Sequence, residues 1–227
     1  MAKPDTRADP APVPPNTPRA VTIVGGDVPA DATAASVNLT VTETAGDGFL
    51  VAYPCGGDIP LASNVNFRRG ETRAVAAIVG LGPDGDVCVS SNVAMHAIVD
   101  VNGFYAPAPQ HGPAAALRPL AGSRIASSRD GIGGWTSPFA PDTIRALDPV
   151  AALADASQAT AVTLNVTALN AGAPGFATLF PCGDDVPLVS SVNFFPGSVA
   201  TNLVTVDLAS DRTVCFYTST GVDLIVD

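Results

Sequence analysis

The residue types that do chemistry are scarce and scattered in this chain. Nucleophilic catalysis needs a base beside a Ser or Cys, and the only two histidines are His96 and His111. His96 falls in a strand-like stretch and His111 in a Pro-rich segment, and neither has a counterpart elsewhere. Paired carboxylates can flank a sugar bond. The acids that recur between the two halves of the chain are few: Asp58 with Asp185, Asp84 with Asp211, and Asp100 with Asp227. Asp84 and Asp211 read as turn residues, where Asp is ordinary, and Asp100 and Asp227 as strand ends. Pro83-Asp-Gly-Asp86 hints at calcium, but its counterpart Ser210-Asp-Arg-Thr213 lacks the oxygens such a loop needs. No catalytic set, metal or cofactor is expected, and the chain reads as a non-enzyme.

Four cysteines, Cys55, Cys88, Cys182 and Cys215, show neither a C-x-x-C nor a Cys/His spacing, so structural disulfides are expected rather than a zinc or redox centre. Stable disulfides need an oxidising compartment, which implies a secreted, extracellular or cell-surface location. Asn66 and Asn193, with Ser63 and Ser190, are the most conspicuous shared polar residues. They read as buried groups tying a loop to the backbone. The alternative is a sugar-binding edge of Asn66 or Asn193, Asp58 or Asp185, and a nearby aromatic; Trp135, the single tryptophan, lies outside the repeated part. The sequons at Asn38 and Asn165 alternate with core positions, which favours a structural role over glycosylation.

The halves are an internal repeat. Asn38-Leu-Thr40 answers to Asn165-Val-Thr167, Gly48-Phe49 to Gly175-Phe176, Pro54-Cys55-Gly56 to Pro181-Cys182-Gly183, and Ser63-Asn-Val-Asn-Phe67 to Ser190-Ser-Val-Asn-Phe194. Cys88 answers to Cys215 and Ile98-Val-Asp100 to Ile225-Val-Asp227, always 127 positions apart. Each copy keeps two cysteines, so the economical pairing is Cys55 with Cys88 and Cys182 with Cys215. The amino-terminal parts align loosely, with Asp5-Thr-Arg7 before Gly25 to Pro29 set against Ser127-Ser-Arg129 before Leu147 to Ala154. The expected organisation is one module at 3–107, a Pro-rich semi-stiff linker at 108–116 and a second module at 117–227.

The elements that carry these residues are strands. Ser36 to Thr42, Phe49 to Tyr53, Val87 to Ser90 and Thr163 to Thr167 alternate apolar and polar residues. Ala74 to Leu81 and Asn202 to Leu208 are nearly continuous runs, which predicts central strands buried on both faces. Only Asp142 to Ala156 looks weakly helical, interrupted by Pro149. The fold class expected is all-β, two tandem antiparallel β-sandwiches with one disulfide each; small β-barrels are the alternative.

Composition narrows the partners. Hydrophobic residues make up 47% and charged residues 14%, which suits a folded chain, and no run approaches the length of a membrane span. The net charge is -10 and Lys3 is the only lysine, which disfavours nucleic acid and anionic membranes. The start at Met1-Ala2-Lys3 has no apolar signal core, suggesting an excerpt of a longer protein. The second copy stops at Asp227 where the first continues Val101-Asn-Gly-Phe-Tyr105, so a continuing chain or a neighbour's strand is expected to complete it.

The run L-N-V-T, G-F-x-x-x-x-P-C-G, S-x-V-N-F, a V-C strand and a closing I-V-D-V-x-G-F-Y resembles repeat modules of secreted actinobacterial proteins. Their usual opening, like R-L-L-D-T-R-x-G-T-G, is matched by Pro4-Asp-Thr-Arg7 and by Arg124 to Gly133, with Ser127-Ser128 replacing Asp-Thr in the second copy. The resemblance spans nearly the whole chain. It implies an extracellular accessory or structural role without catalytic activity. Joined to the incomplete second copy, this gives the expected function: a non-catalytic structural, spacer or assembly module partnering itself through strand exchange at chain ends; the alternative, from the Asn and Asp positions above, is a carbohydrate- or cell-wall-binding module for surface glycans.

Overall fold

A computed structural model describes residues 11–61, 63–107, 123–151 and 158–227. Pro4-Asp-Thr-Arg7, His111 and the expected linker at 108–116 lie outside these residues. The chain divides into two compact units, Met1–Pro119 and Leu120–Asp227, each an antiparallel β-sandwich.

In the first unit the strands are β1 (Arg19–Thr22), β2 (Ala34–Thr42), β3 (Gly48–Pro54), β4 (Val65–Phe67), β5 (Arg73–Gly80), β6 (Asp86–Ser91) and β7 (His96–Tyr105). They form one sheet in the order β1-β6-β3-β4 and another in the order β5-β2-β7. The second unit has β8 (Ala126–Ser127), β9 (Thr143–Leu147), β10 (Ala161–Leu169), β11 (Gly175–Pro181), β12 (Val192–Phe194), β13 (Ala200–Asp207), β14 (Val214–Thr218) and β15 (Asp223–Val226). Its sheets run β12-β11-β14-β9 and β13-β10-β15-β8. Alternation does the sorting. Val37, Leu39 and Val41 of β2, together with Val99 of its sheet neighbour β7, face Leu50 and Ala52 of β3 and Val87 and Val89 of β6 in one buried cluster. The second core is more aromatic: Trp135 meets Phe139 and Phe216 edge-on, with ring centroids 5.0 Å apart in both pairs.

Each unit holds one disulfide, Cys55–Cys88 and Cys182–Cys215, with Cα atoms 4.9 Å apart. Each bond ties the end of one central strand's segment to its neighbour, closing a loop with a sequence separation of 33. Chain entropy alone gives such a closure about 3–4 kcal/mol of stabilisation.

Three expectations are corrected. The Val-rich runs are not central: β5 and β13 end their sheets, and the alternating β2 and β10 lie inside. A run of Ala and Val on an edge mimics two-sided burial because its outward face is also apolar, as exposed Ile78 and Leu203 show. The weakly helical stretch after Asp142 begins with a strand instead, since Thr143 to Leu147 pair residue for residue with β14; residues 152–157 lie outside the description. The loose amino-terminal alignment is replaced by a tighter one at an offset of 126, in which Val21 rather than Gly25 answers to Leu147. Pro12, Pro15, Asn16, Thr17, Arg19 and Ala20 thereby match Pro138, Pro141, Asp142, Thr143, Arg145 and Ala146.

The matched residues do the same jobs. Arg19 Nη1 donates to the Ala11 carbonyl at 2.9 Å and Arg145 Nη1 to the Ser137 carbonyl at 2.7 Å. Asn16 and Asp142 both turn the chain at positive φ, 54° and 53°, a conformation that Asn and Asp tolerate better than other non-glycine residues.

Candidate functional site

The repeated chemistry gathers around one hairpin in each unit. Residues 55–64 connect β3 to β4, and residues 182–191 connect β11 to β12; apart from Ala62, both loops are described. The disulfide anchors the first residue of each loop. At the other end, Ala52 N donates to Asn64 Oδ1 at 2.7 Å, and Leu179 N donates to Ser191 Oγ at 3.0 Å. Backbone pairs complete the anchor, Asn64 N to Leu50 O at 2.9 Å and Ser191 N to Ala177 O at 2.8 Å.

The tie therefore belongs to Asn64 and Ser191, which the sequence reading passed over because the two residue types differ. Asn66 is exposed and Asn193 half-buried, so the expectation of a buried, loop-tying Asn is corrected. Each instead bonds the Ser three residues earlier: Ser63 Oγ donates to Asn66 Oδ1 at 3.2 Å, and Asn193 Nδ2 donates to Ser190 Oγ at 3.0 Å. The even strand position that carries Asn66 and Asn193 points away from the core, because Val65 and Phe67, or Val192 and Phe194, take the inward ones.

An aromatic does lie beside each Asn. Phe49 pairs with Asn66 across β3 and β4, and Phe176 with Asn193 across β11 and β12. Phe49 is 38% exposed, and Phe176 tilts against Tyr217 at 6.0 Å. Both rings sit on a rigid base. Phe49 N donates to Asn92 Oδ1 at 2.8 Å and Phe176 N to Ser219 Oγ at 2.9 Å. The preceding glycines allow this approach: a Cβ on Gly48 would come within 2.7 Å of Val93, and one on Gly175 within 2.9 Å of Phe194.

Asp58 and Asp185 are exposed in the loops; among the described residues no hydrogen bond joins either to Asn66 or Asn193. The tips are apolar. Ile59 and Leu61 are 43% and 108% exposed, and their counterparts Val186 and Leu188 are 38% and 103% exposed.

The remaining candidates fall to structural duties. Asp211 accepts the Thr213 hydroxyl and, at 3.0 Å, the Thr213 amide, and these two bonds hold its carboxyl below the usual range. Asp84 occupies the corresponding turn between β5 and β6, and Asp100 is buried. Asp227 pairs with Arg124 at 2.9 Å. Asn38 is buried and Asn165 half-buried within their strands. Trp135 is 4% exposed in the second core, so no ring of it is offered at the surface.

His96 has Glu43 Oε2 at 3.8 Å from its Nε2. Its counterpart Asp223 accepts Ser128 Oγ at 2.7 Å and Asn170 Nδ2 at 3.0 Å. The residue matching Asn170 is Glu43, and both turn at positive φ, so the pair closes the same corner with different chemistry in each unit. Ser128 also accepts the Leu224 amide at 3.0 Å, which gives the Ser127-Ser128 opening a fastening role beside β15. Among the described residues there is no group of three or more His, Cys, Asp or Glu side chains able to hold a metal ion, and no helix is long and apolar enough to cross a membrane.

Comparison with protein-family models finds no match, and none of the curated proteins matches. Among solved structures, the N-terminal CBM22-1–CBM22-2 tandem domain from Paenibacillus barcinonensis Xyn10C is 11% identical, with a TM-score of 0.29 over 92% of this chain and 80% of that one.

Proposed function

We propose that the chain is a non-catalytic structural module of an exported bacterial surface protein, able to assemble with copies of itself through its sheet edges. The observation that carries this reading is the character of β5 and β13. Each ends its sheet, runs for eight residues without Pro and bears one charged residue, Arg73 or Asp207. Each also shows an exposed large apolar side chain, Ile78 at 66% and Leu203 at 52%. Natural edges are normally blunted by charge, Pro or brevity, and an apolar edge left plain is suited to side-by-side packing with another copy. The two disulfides fit the oxidising environment outside the cytosol.

Sedimentation velocity and negative-stain microscopy of the intact chain test this. Ordered oligomers or filaments are expected, reduced to monomers by Ile78→Lys with Leu203→Lys. Featureless monomers of the unsubstituted chain at high concentration would sink the reading.

A second reading, a carbohydrate- or cell-wall-binding module, draws on Phe49 beside Asn66 and Phe176 beside Asn193. A ring face next to amide donors is what a sugar's apolar face and hydroxyls call for. Under this reading a glycan array detects binding that Phe49→Ala with Phe176→Ala abolishes, and that replacement of Asp58 and Asp185 weakens. An empty array eliminates it.

A further inference from the structure

The loop tips are the most exposed large apolar positions among the described residues, and neither reading above uses them. A single exposed Leu is unremarkable. Leu61 and Leu188, at 108% and 103% exposure, occupy the same place in the two units, each preceded by Pro and by a partly exposed aliphatic, Ile59 or Val186.

The backbone under Leu188 is held on both sides. Val189 N donates to Pro187 O at 2.8 Å, a one-residue turn with Leu188 at its apex. The Val189 carbonyl accepts the Thr178 hydroxyl, and Ser191 is fastened to β11 by its amide and its hydroxyl. Six residues before the tip, Cys182 is bonded to Cys215, and Pro187 fixes its own φ. Docking such a side chain orders little that is not already ordered, which removes much of the usual cost of binding. Residues 185–188 belong to no strand, and among the described residues no backbone bond uses the amides of Val186 and Leu188, so a partner's strand can pair with them.

Charge chooses the kind of surface. Asp184 and Asp185 flank one tip and Asp58 the other, on a chain of net charge -10. Anionic lipid is repelled by that flank, whereas a protein pocket with a neutral or cationic rim is not.

We propose that the Pro187-Leu188-Val189 tip, and the corresponding Pro60-Leu61 tip, binds in the manner of a substrate to the apolar specificity pocket of an extracellular serine peptidase and acts as a reversible inhibitor. Such pockets take one large aliphatic or aromatic side chain, here presented at the apex of a held turn, and the disulfides fit the oxidising compartment in which such enzymes work. Because Val189 and Ser191 are pinned to β11, the segment after Leu188 cannot diffuse away from a bound enzyme. A group kept at high effective concentration returns rather than leaves, which separates an inhibitor from a substrate.

The test is inhibition of subtilisin and of chymotrypsin by the intact, disulfide-bonded chain, followed with a small chromogenic peptide and with mass spectrometry of the chain. Stoichiometric inhibition is expected, with up to two enzyme molecules bound per chain. Leu188→Asp halves the capacity, and Leu61→Asp with Leu188→Asp weakens inhibition by about 30-fold or more, the loss expected of a central anchor. Both side chains are fully exposed, so unchanged circular dichroism and intact disulfides check that the variants are sound. No inhibition in clear molar excess overturns the proposal, as does rapid cleavage after Leu61 or Leu188 without inhibition. Equal inhibition of trypsin, whose pocket is acidic, or Leu-dependent binding to anionic vesicles instead of enzyme, overturns it too. Assembly through β5 and β13 is read in a separate experiment, so failure of one leaves the other standing.

Discussion

Tyr217 donates its hydroxyl to Asp142 Oδ1 at 2.7 Å, linking the left-handed turn before β9 to the outer face of β14. That bond, with desolvation and the nearby carboxylate charge as lesser causes, raises the phenol above its ordinary value. The folded state therefore keeps the proton more tightly than the unfolded chain does. The resulting stabilisation is fully present below the ordinary phenol range and is lost as pH rises through the higher folded value. Asp142→Gly suits the backbone, since φ there is 53°, yet removes the acceptor. An absorbance titration of the folded variant should show one tyrosine ionising at lower pH than in the parent, while Tyr53, raised by burial, stays where it was. An unchanged titration would mean that the bond does not form in solution. The same turn in the first unit carries Asn16, and Ser90 stands where Tyr217 does; the first unit keeps the turn without the bond.

At the level of elements, much of this architecture could be read from residue order. Alternation named β2, β3, β6 and β10 as strands, and the strict offset of 127 matched the segments that hold β11, β4 and β12, although three-residue strands such as β4 and β12 are too short to show a period. What order could not give was which strands end the sheets. In Ala74 to Leu81 every residue is apolar or small, a pattern compatible with burial on two faces or with an unprotected edge, and only the pairing of β2 with both β5 and β7 decides. The site was legible in the same uneven way. Asn66 and Asn193 stood out because they are identical, but the loop is tied by Asn64 and Ser191, whose oxygens do one job from two different side chains. Geometry preserved a hydrogen bond there, not a letter. The opposite failure hid the first strands: Pro12, Pro15, Thr17 and Arg19 do repeat, but one residue out of step with everything after them, so a single offset passed over them. The apolar tips were likewise visible as Ile-Pro-Leu and Val-Pro-Leu, and only their exposure distinguishes them from core.

For the molecule as a whole, the two units reach comparable folds with different interiors. The first packs aliphatic side chains such as Val37, Leu39, Leu50 and Met95, whereas the second surrounds Trp135 with Phe139 and Phe216. Because Trp135 is the only tryptophan, its fluorescence reports the second unit alone, while far-ultraviolet circular dichroism reports both. Each core is closed by its own disulfide, and none of the four cysteines bridges the units. Replacing Cys55 and Cys88 together by Ala removes a restraint on the first unfolded unit and should cost it about 3–4 kcal/mol. In urea, circular dichroism should then resolve an early transition for the first unit, while the Trp135 fluorescence midpoint stays at its parental value. Equal shifts in the two signals would show one cooperative block instead of two, because a loss confined to the first unit reaches Trp135 only if both units unfold together.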